Sequence, residues 1–156
     1  MSYFKINELI FNFYDNFGHS KRIYKMKKDI KVSEIDGVYI VIVPEYNETF
    51  KSDDWNVYLV NERNDDVELA LIISKGFDDK RETAQMRHKI ALLPAMSGVK
   101  FELMVESVLQ LNNQFKVTFF VNNILYDKVF LAKKNSLKKS ALRMVKALGK
   151  RGAVFK

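Results

Sequence analysis

The 156-residue sequence contains no cysteine, which excludes disulfide bonds, thiolate metal sites and cysteine nucleophiles. It has only two histidines and two prolines. No apolar run approaches the ~20 residues that are needed to cross a bilayer, and the N-terminus lacks the small-residue cleavage site of a secretory signal. We therefore expect a cytoplasmic location.

Hydrophobic residues make up 47% of the sequence and charged residues 29%. This balance is typical of a globular protein, and the length corresponds to about one domain. From about residue 27 to residue 131, apolar side chains recur with a period of two, which indicates β-strands. The predicted strands are residues 38–43, 56–61, 67–73, 89–93, 101–105, 115–121 and 124–131.

Three of these segments are especially informative. Residues 38–43 are apolar throughout and mostly β-branched, which predicts a strand that is buried on both faces. Residues 101–105 alternate so that Phe101 and Leu103 would face the core and Glu102 would face water. Asn122 and Asn123 separate the last two strands, and this pair of residues tolerant of positive φ predicts a hairpin turn. Strands without intervening helices favour an antiparallel β-sandwich, immunoglobulin-like or similar, over residues 26–132.

The first 25 residues allow two interpretations. Tyr3, Ile6, Ile10 and Phe13 recur at helical spacing, so that Ser2 could cap a short N-terminal helix. Alternatively, Met26 is the natural start and residues 1–25 are an N-terminal extension translated from upstream sequence. Both alternatives stay open at this point.

The C-terminal segment differs from the rest in charge. Residues 128–156 contain ten Lys or Arg and no Asp or Glu. Within residues 133–156, Leu137, Ala141, Val145 and Leu148 fall at helical spacing, and Gly149 suits the position after a helix. We therefore predict an amphipathic basic helix and tail that docks its apolar stripe on the sandwich.

The basic side chains of this segment are the predicted anion-binding site: Lys133, Lys134, Lys138, Lys139, Arg143, Lys146, Lys150 and Arg151. Clustered Lys and Arg neutralise phosphates, which makes RNA, a ribonucleoprotein or an acidic protein the predicted partner. Two further alternatives are a solvated face that folds back on the acidic body and a helix that lies on an anionic membrane surface.

Candidate chemistry elsewhere is sparse. Asp doublets at residues 53–54, 65–66 and 78–79 could bind Ca²⁺, but Asp is common in turns and the spacing is not that of an EF-hand loop. His88 is expected to make a structural hydrogen bond. Ser74 and Lys75 are adjacent on a strand and point to opposite faces, so they cannot form a dyad. We predict no catalytic residue, no metal site and no cofactor.

Several short segments together carry a resemblance to known proteins: residues 54–61 (DWNVYLVN), 74–77 (SKGF), 87–88 (RH), 126–128 (YDK) and 150–155 (KRGAVF). They resemble a family of small uncharacterised bacterial proteins, some of which carry the name phenylalanyl-tRNA synthetase alpha subunit. The resemblance covers residues 26–156. The family implies no catalytic residues, but the name of some members makes a tRNA-linked activity one alternative.

Three hypotheses for function follow. The first is a non-enzymatic binding module that contacts an anionic partner through its basic C-terminal segment. The second is a structural or assembly protein, including a homo-oligomer, that pairs with another chain through its sheet edges. The third is the tRNA-linked activity.

Overall fold

The computed structural model describes residues 34–156, so both alternatives for residues 1–25 lie outside the described residues. The described chain forms nine strands, one four-residue helix and a short 3-10 turn at Lys139–Ala141. These elements are β1 (Val38–Asn47), β2 (Ser52–Asn61), β3 (Val67–Phe77), β4 (Met86–Leu93), β5 (Ser97–Met104), α1 (Glu106–Leu109), β6 (Asn112–Val121), β7 (Ile124–Ala132), β8 (Arg143–Val145) and β9 (Lys150–Phe155). The prediction of a mainly β protein is confirmed.

The strands form two antiparallel sheets. Sheet 1 has the order β5-β2-β1-β9-β8, and sheet 2 has the order β4-β3-β6-β7. Four pairs of consecutive strands are hairpins, namely β1–β2, β3–β4, β6–β7 and β8–β9. Between these hairpins the chain passes from one sheet to the other, so that each sheet contains strands from both halves of the described chain.

One hydrophobic cluster contains buried side chains of both sheets. Sheet 1 contributes Ile40 and Leu59, while sheet 2 contributes Phe115 and Phe119, all of them fully buried. Complete burial of a large apolar side chain stabilises the fold by about 1.5–3 kcal/mol. The face that each sheet turns toward this shared core is called its inner face below, and the opposite face is its outer face.

Strand β1 is buried over its first six residues. Every side chain of residues 38–43 is at most 3% exposed, which confirms the predicted burial on both faces. The strand lies in the middle of sheet 1, where β2 pairs with one of its edges and β9 with the other. Its β-branched side chains suit this position because they pack densely on a pleated surface.

The hairpin between β6 and β7 also forms as the sequence predicts. Val121 pairs with Ile124, and the two residues between them have positive φ, 50° at Asn122 and 62° at Asn123. Positive φ at both central positions defines the type I′ turn, whose twist matches that of the flanking strands. Asparagine tolerates this backbone region better than most residues.

The predicted faces of residues 101–105 are wrong in part. The pairing of β2 with β5 shifts between Val57 and Tyr58, so that β5 contains one extra residue, Phe101. After this bulge Glu102 points inward and Leu103 points to the outer face, where it is 51% exposed. A bulge reverses the alternation of all later side chains, which simple counting from Phe101 cannot anticipate.

The predicted C-terminal helix is also wrong. Residues 133–156 contain no α-helix; they form the 3-10 turn and the hairpin of β8 and β9. Strand β9 pairs with β1, with Ile40 opposite Phe155 and Ile42 opposite Ala153. Without β9 this edge of buried β1 would leave backbone groups unpaired, at a cost of about 1–3 kcal/mol each. Pairing therefore outweighs the weak helical preference of the segment.

The features that suggested a helix have other roles in the hairpin. Gly149 has a φ of 62° and donates its N–H to the carbonyl oxygen of Val145, 2.9 Å away, within the β8–β9 turn. Of the predicted apolar stripe, Val145 is buried, while Leu137 and Leu148 pack partly buried against the core. Ala141 is exposed. The segment therefore docks on the core as expected, but with a different backbone.

Candidate functional site

Residues 153–155 of β9 pair with the edge of β1, and the rest of the β8–β9 hairpin bends over the outer face of sheet 1. A Cβ added to Gly152 of β9 would meet the side chains of Val41 and Val43 of β1. At the turn, Leu148 lies against Gly98 of β5, two strands away from β1. The hairpin therefore crosses this face from β1 to β5, and it brings part of the basic segment onto the sheet.

Beneath the hairpin is a cluster of four polar side chains. One carboxylate oxygen of Glu45 (β1) accepts hydrogen bonds from Asn56 Nδ2 at 2.5 Å and from Tyr58 Oη at 2.8 Å, both on β2. The other oxygen is ion-paired with Lys150 of β9, whose Nζ lies 5.6 Å from the centre of the Tyr58 ring. Asn56 and Tyr58 are buried, so the cluster joins the hairpin to the sheet through satisfied polar groups.

This cluster shifts the pKa values of its members. Burial by itself raises the pKa of Glu45, but the hydrogen bonds from Lys150, Tyr58 and Asn56 outweigh it and hold the pKa below its ordinary value. The hydrogen bond to Glu45 raises the pKa of Lys150. Burial and the bond to Glu45 raise the pKa of Tyr58. All three shifts reflect an environment that favours a charged Glu45, a charged Lys150 and a neutral Tyr58.

An open groove runs beside the cluster at the end of the β1–β2 hairpin. Its volume is about 430 Å³. The residues that line it are mostly acidic or amide side chains: Glu45, Tyr46, Asn47, Glu48, Asp54, Asn56, Lys100 and Leu103. Such a lining repels anions, so this groove is not part of the predicted anion-binding surface.

All eight basic residues that the sequence predicts for the site are exposed. Three of them have partners. Lys139 Nζ lies 2.5 Å from a carboxylate oxygen of Asp53, Lys150 is paired with Glu45, and Arg151 donates to the carbonyl oxygen of Leu142 at 2.8 Å. The basic segment therefore does fold back on body carboxylates at two points.

The other five basic side chains have no carboxylate within 4 Å among residues 34–156; they are Lys133, Lys134, Lys138, Arg143 and Lys146. They are distributed over the turn after β7, the start of the 3-10 turn, β8 and the β8–β9 turn. By contrast, residues 34–127 contain nine basic and sixteen acidic side chains. The positive charge of the described chain is therefore concentrated in its last part.

The sequence did not reveal a second polar cluster, which lies between the sheets. The same oxygen of Glu102 (β5) accepts a hydrogen bond from Ser74 Oγ (β3) at 2.5 Å and lies 2.8 Å from His88 Nε2 (β4). Because Ser74 bonds to the carboxylate and not to the imidazole, His88 is not placed to act as its general base. As the sequence predicted, Lys75 points away from Ser74 and pairs with Glu82.

Two of the three acidic doublets serve as turn residues, whereas Asp53 and Asp54 lie in β2 and accept hydrogen bonds from Lys139 and Asn47. Asp78 accepts hydrogen bonds from the Arg81 side chain and from the amides of residues 80 and 81, which hold its pKa at about 2. Asp66 accepts from the amide of Ala95 at 2.8 Å. Asp65 bonds to Arg63 and Asn122. Across residues 34–156, no three His, Cys, Asp or Glu side chains converge to form a metal site.

Comparison of the chain with protein-family models, with curated proteins and with solved structures finds no match. Within residues 34–156, no helix has the length and apolar character that crossing a membrane requires.

Proposed function

We propose that this protein is a non-enzymatic binding domain that contacts RNA, free or in a ribonucleoprotein, through the exposed cations of residues 133–151. One observation carries the proposal: among residues 34–156, five of the eight basic side chains of this segment are exposed and have no carboxylate partner. Lys and Arg side chains without an ion-pair partner gain the most binding free energy from phosphates, because they release the counterions of the polyanion without first breaking an ion pair.

The arrangement of the cations supports binding that depends on charge and not on base sequence. The five side chains lie on turns and a short strand and do not converge on one pocket. Base-specific recognition of single-stranded RNA normally uses exposed aromatic side chains as stacking platforms, and residues 133–151 contain no aromatic residue. The RNA contact that we propose is therefore electrostatic.

The proposal of a non-enzymatic role is supported by the polar cluster between the sheets. Glu102 binds both Ser74 and His88, so the hydroxyl and the imidazole are each held by the carboxylate. Ser74 therefore lacks the neighbouring imidazole that activates a nucleophilic serine, and the carboxylate beside it is already bound to His88. The tRNA-linked activity implied by the family resemblance stays a prediction.

We infer further that the two sheets form a β-sandwich, immunoglobulin-like or similar. The shared hydrophobic cluster and the inter-sheet contacts of Glu102 support this inference. Two antiparallel sheets that bury their inner faces against each other are the usual form of such a fold.

A binding titration with labelled single-stranded RNA at several salt concentrations tests the proposal. Each phosphate contact to single-stranded nucleic acid contributes about 0.7 to the slope of log K against log salt. In a variant with Lys133, Lys138 and Lys146 changed to Gln, we expect the slope to fall by up to about 2. Truncation is unsuitable, because β9 pairs with β1.

The matched control changes three exposed lysines of the body, Lys51, Lys80 and Lys100, to Gln. It removes the same total charge, so an effect of net charge alone would appear equally in both variants. Two results would contradict the proposal. One is an equal decrease of the salt slope in both variants, and the other is no RNA binding by the unmodified chain at low salt. Binding of a polyglutamate peptide in place of RNA would indicate an acidic protein partner.

A further inference from the structure

The outer face of sheet 2 carries an unusual number of exposed aliphatic side chains. Those at least 39% exposed are Leu69, Leu71, Leu92, Leu125, Val129 and Leu131. Monomeric proteins rarely expose contiguous apolar patches of more than about a few hundred Å², and larger ones mark interaction sites. This face is formed by β4, β3, β6 and β7, whereas the β8–β9 hairpin of the basic segment belongs to sheet 1.

The strand register places the side chains of this face in rows across the sheet. One row runs from Leu92 on β4 through Glu68 on β3 and Phe120 on β6 to Leu125 on β7. The next row along the strands runs from Lys89 on β4 to Asp127 on β7. These two rows therefore each end in a matched pair at the two edges, leucine with leucine in one row and a cation with a carboxylate in the other. The third row ends in Arg87 and Val129.

We propose that a second copy of this chain docks on the outer face of sheet 2, face to face, about a two-fold axis parallel to the strands. Such an axis exchanges the two edges of the sheet while it preserves the rows. Leu92 of each copy then meets Leu125 of the other, and Lys89 of each meets Asp127 of the other. A two-fold interface must be complementary to itself in this way.

The two central strands carry charged side chains on this face, among them Lys116 on β6 and Glu68 on β3. Lys116 on β6 lies 3.5 Å from Asp127, and Thr118 Oγ1 donates to the other oxygen of Asp127 at 2.7 Å. Lys116 therefore enters the interface with its carboxylate partner in place. Glu68 on β3 has no cation within 4 Å among residues 34–156, so its desolvation opposes docking and the apolar contacts must offset it. Lys89 of the second copy supplies Asp127 with an additional cation.

The size of the face is sufficient for a stable dimer. Four strands at a spacing of about 4.8 Å and about eight residues at 3.3 Å each span a plane of roughly 500 Å². Because side chains project from this plane, the accessible area of the face is larger than the plane itself and comes near the ~800 Å² per partner of a standard interface. Face-to-face sheets cross at up to about 30°, an offset that long Lys and Asp side chains at the edges can span.

The test is the oligomeric state of the full chain, measured by sedimentation equilibrium over a range of concentrations. We expect the unmodified chain to dimerise. Lys89→Glu places two carboxylates opposite each other twice per dimer, and Asp127→Lys places two cations opposite each other twice. Each variant alone should raise the dimer dissociation constant at least about tenfold, because like charges at an interface cost several kcal/mol.

Mixing the two variants gives the decisive result. In the heterodimer both edge contacts again join opposite charges, so the mixture should dimerise although each variant alone does not. Lys100→Glu makes the same charge change on sheet 1 and should leave dimerisation unchanged. Circular dichroism confirms folding, and if Asp127→Lys does not fold, Leu125→Glu replaces it and should give a monomer.

Three results would overturn the proposal: a monomer at all concentrations, a dimer that neither edge variant weakens, or a mixture that fails to recover. None of them bears on RNA binding, because the edge variants leave residues 133–151 unchanged.

Discussion

Gly152 and Val41 are packed so closely that no side chain fits between them. A Cβ on Gly152 would lie 2.4 Å from Cγ1 of Val41, well inside van der Waals contact. Val41 is fully buried in the central strand, so it has no space to move away. The absence of a side chain at Gly152 therefore allows the β8–β9 hairpin to lie on sheet 1.

Gly152→Ala should accordingly lower the free energy of unfolding by about 1–3 kcal/mol, the usual cost of overpacking a dense core. Urea denaturation measures this change. Gly149→Asn in the turn of the same hairpin is the control, because a side chain there meets nothing within 4 Å and Asn tolerates positive φ. If Gly149→Asn lowers the free energy of unfolding as much as Gly152→Ala does, packing against Val41 is not the cause of the destabilisation.

The Glu45–Lys150 pair should make stability depend on pH in the acid range. Because the folded protein lowers the pKa of Glu45, its contribution is complete above the ordinary value of 4.5 and is lost as the pH falls through the lower folded value. Lys150→Met removes one of the groups that lower this pKa. Its stability should therefore fall less steeply below pH 4.5 than that of the unmodified protein, as measured by unfolding at a series of pH values.

A parallel acid titration of Lys146→Met serves as the control for this experiment, since Lys146 has no carboxylate within 4 Å among residues 34–156. If both lysine variants change the acid dependence equally, the pairing with Glu45 does not account for it.

The type I′ turn between β6 and β7 predicts opposite effects for two substitutions at one position. Asn123→Gly should leave stability unchanged or raise it by up to about 1 kcal/mol, because glycine adopts positive φ without strain. Asn123→Ala should lower stability by about 1–2 kcal/mol, because its Cβ is strained in this region. Thermal unfolding of the two variants measures the difference in their stability. An Ala variant more stable than the Gly variant would disprove the turn assignment.

The cluster between the sheets should tolerate loss of the serine better than loss of the carboxylate. Ser74→Ala removes one hydrogen bond, at a net cost of about 1 kcal/mol. Glu102→Leu leaves both Ser74 and His88 without their partner and should cost more, about 2–4 kcal/mol for two unsatisfied groups. Denaturant unfolding ranks the two variants. Equal effects would indicate that Glu102 does not hold both side chains.

The strand cores could be predicted from the sequence because each has its own alternation of side chains. Residues 67–73 and 56–61 were identified, but the strands extend to Phe77 and start at Ser52. These extensions are polar or contain glycine, so local patterns do not mark them. They are strands because partners pair with them, Asn112 with Phe77 and Asn47 with Ser52.

The two wrong predictions, the C-terminal helix and the faces of residues 101–105, have the same physical origin. The helical spacing of Leu137, Val145 and Leu148 is real, but a local pattern cannot indicate that β1 needs a partner for its second edge. Similarly, the single extra residue in β5 turns Glu102 toward Ser74 and His88, and no signal in the sequence marks this bulge. The sequence leaves open whether the basic residues are exposed or fold back on the body. All eight are exposed, and only the fold shows that Lys139 and Lys150 also pair with body carboxylates.

The pairing of Ile40 with Phe155 joins residues that are far apart in the sequence. Bringing such distant segments together costs chain entropy before any contact offsets it, and proteins dominated by non-local strand pairs fold in roughly milliseconds to seconds. Until β9 arrives, one edge of the most apolar strand stays open to other chains. Rapid dilution from denaturant at high protein concentration should therefore favour aggregation over refolding.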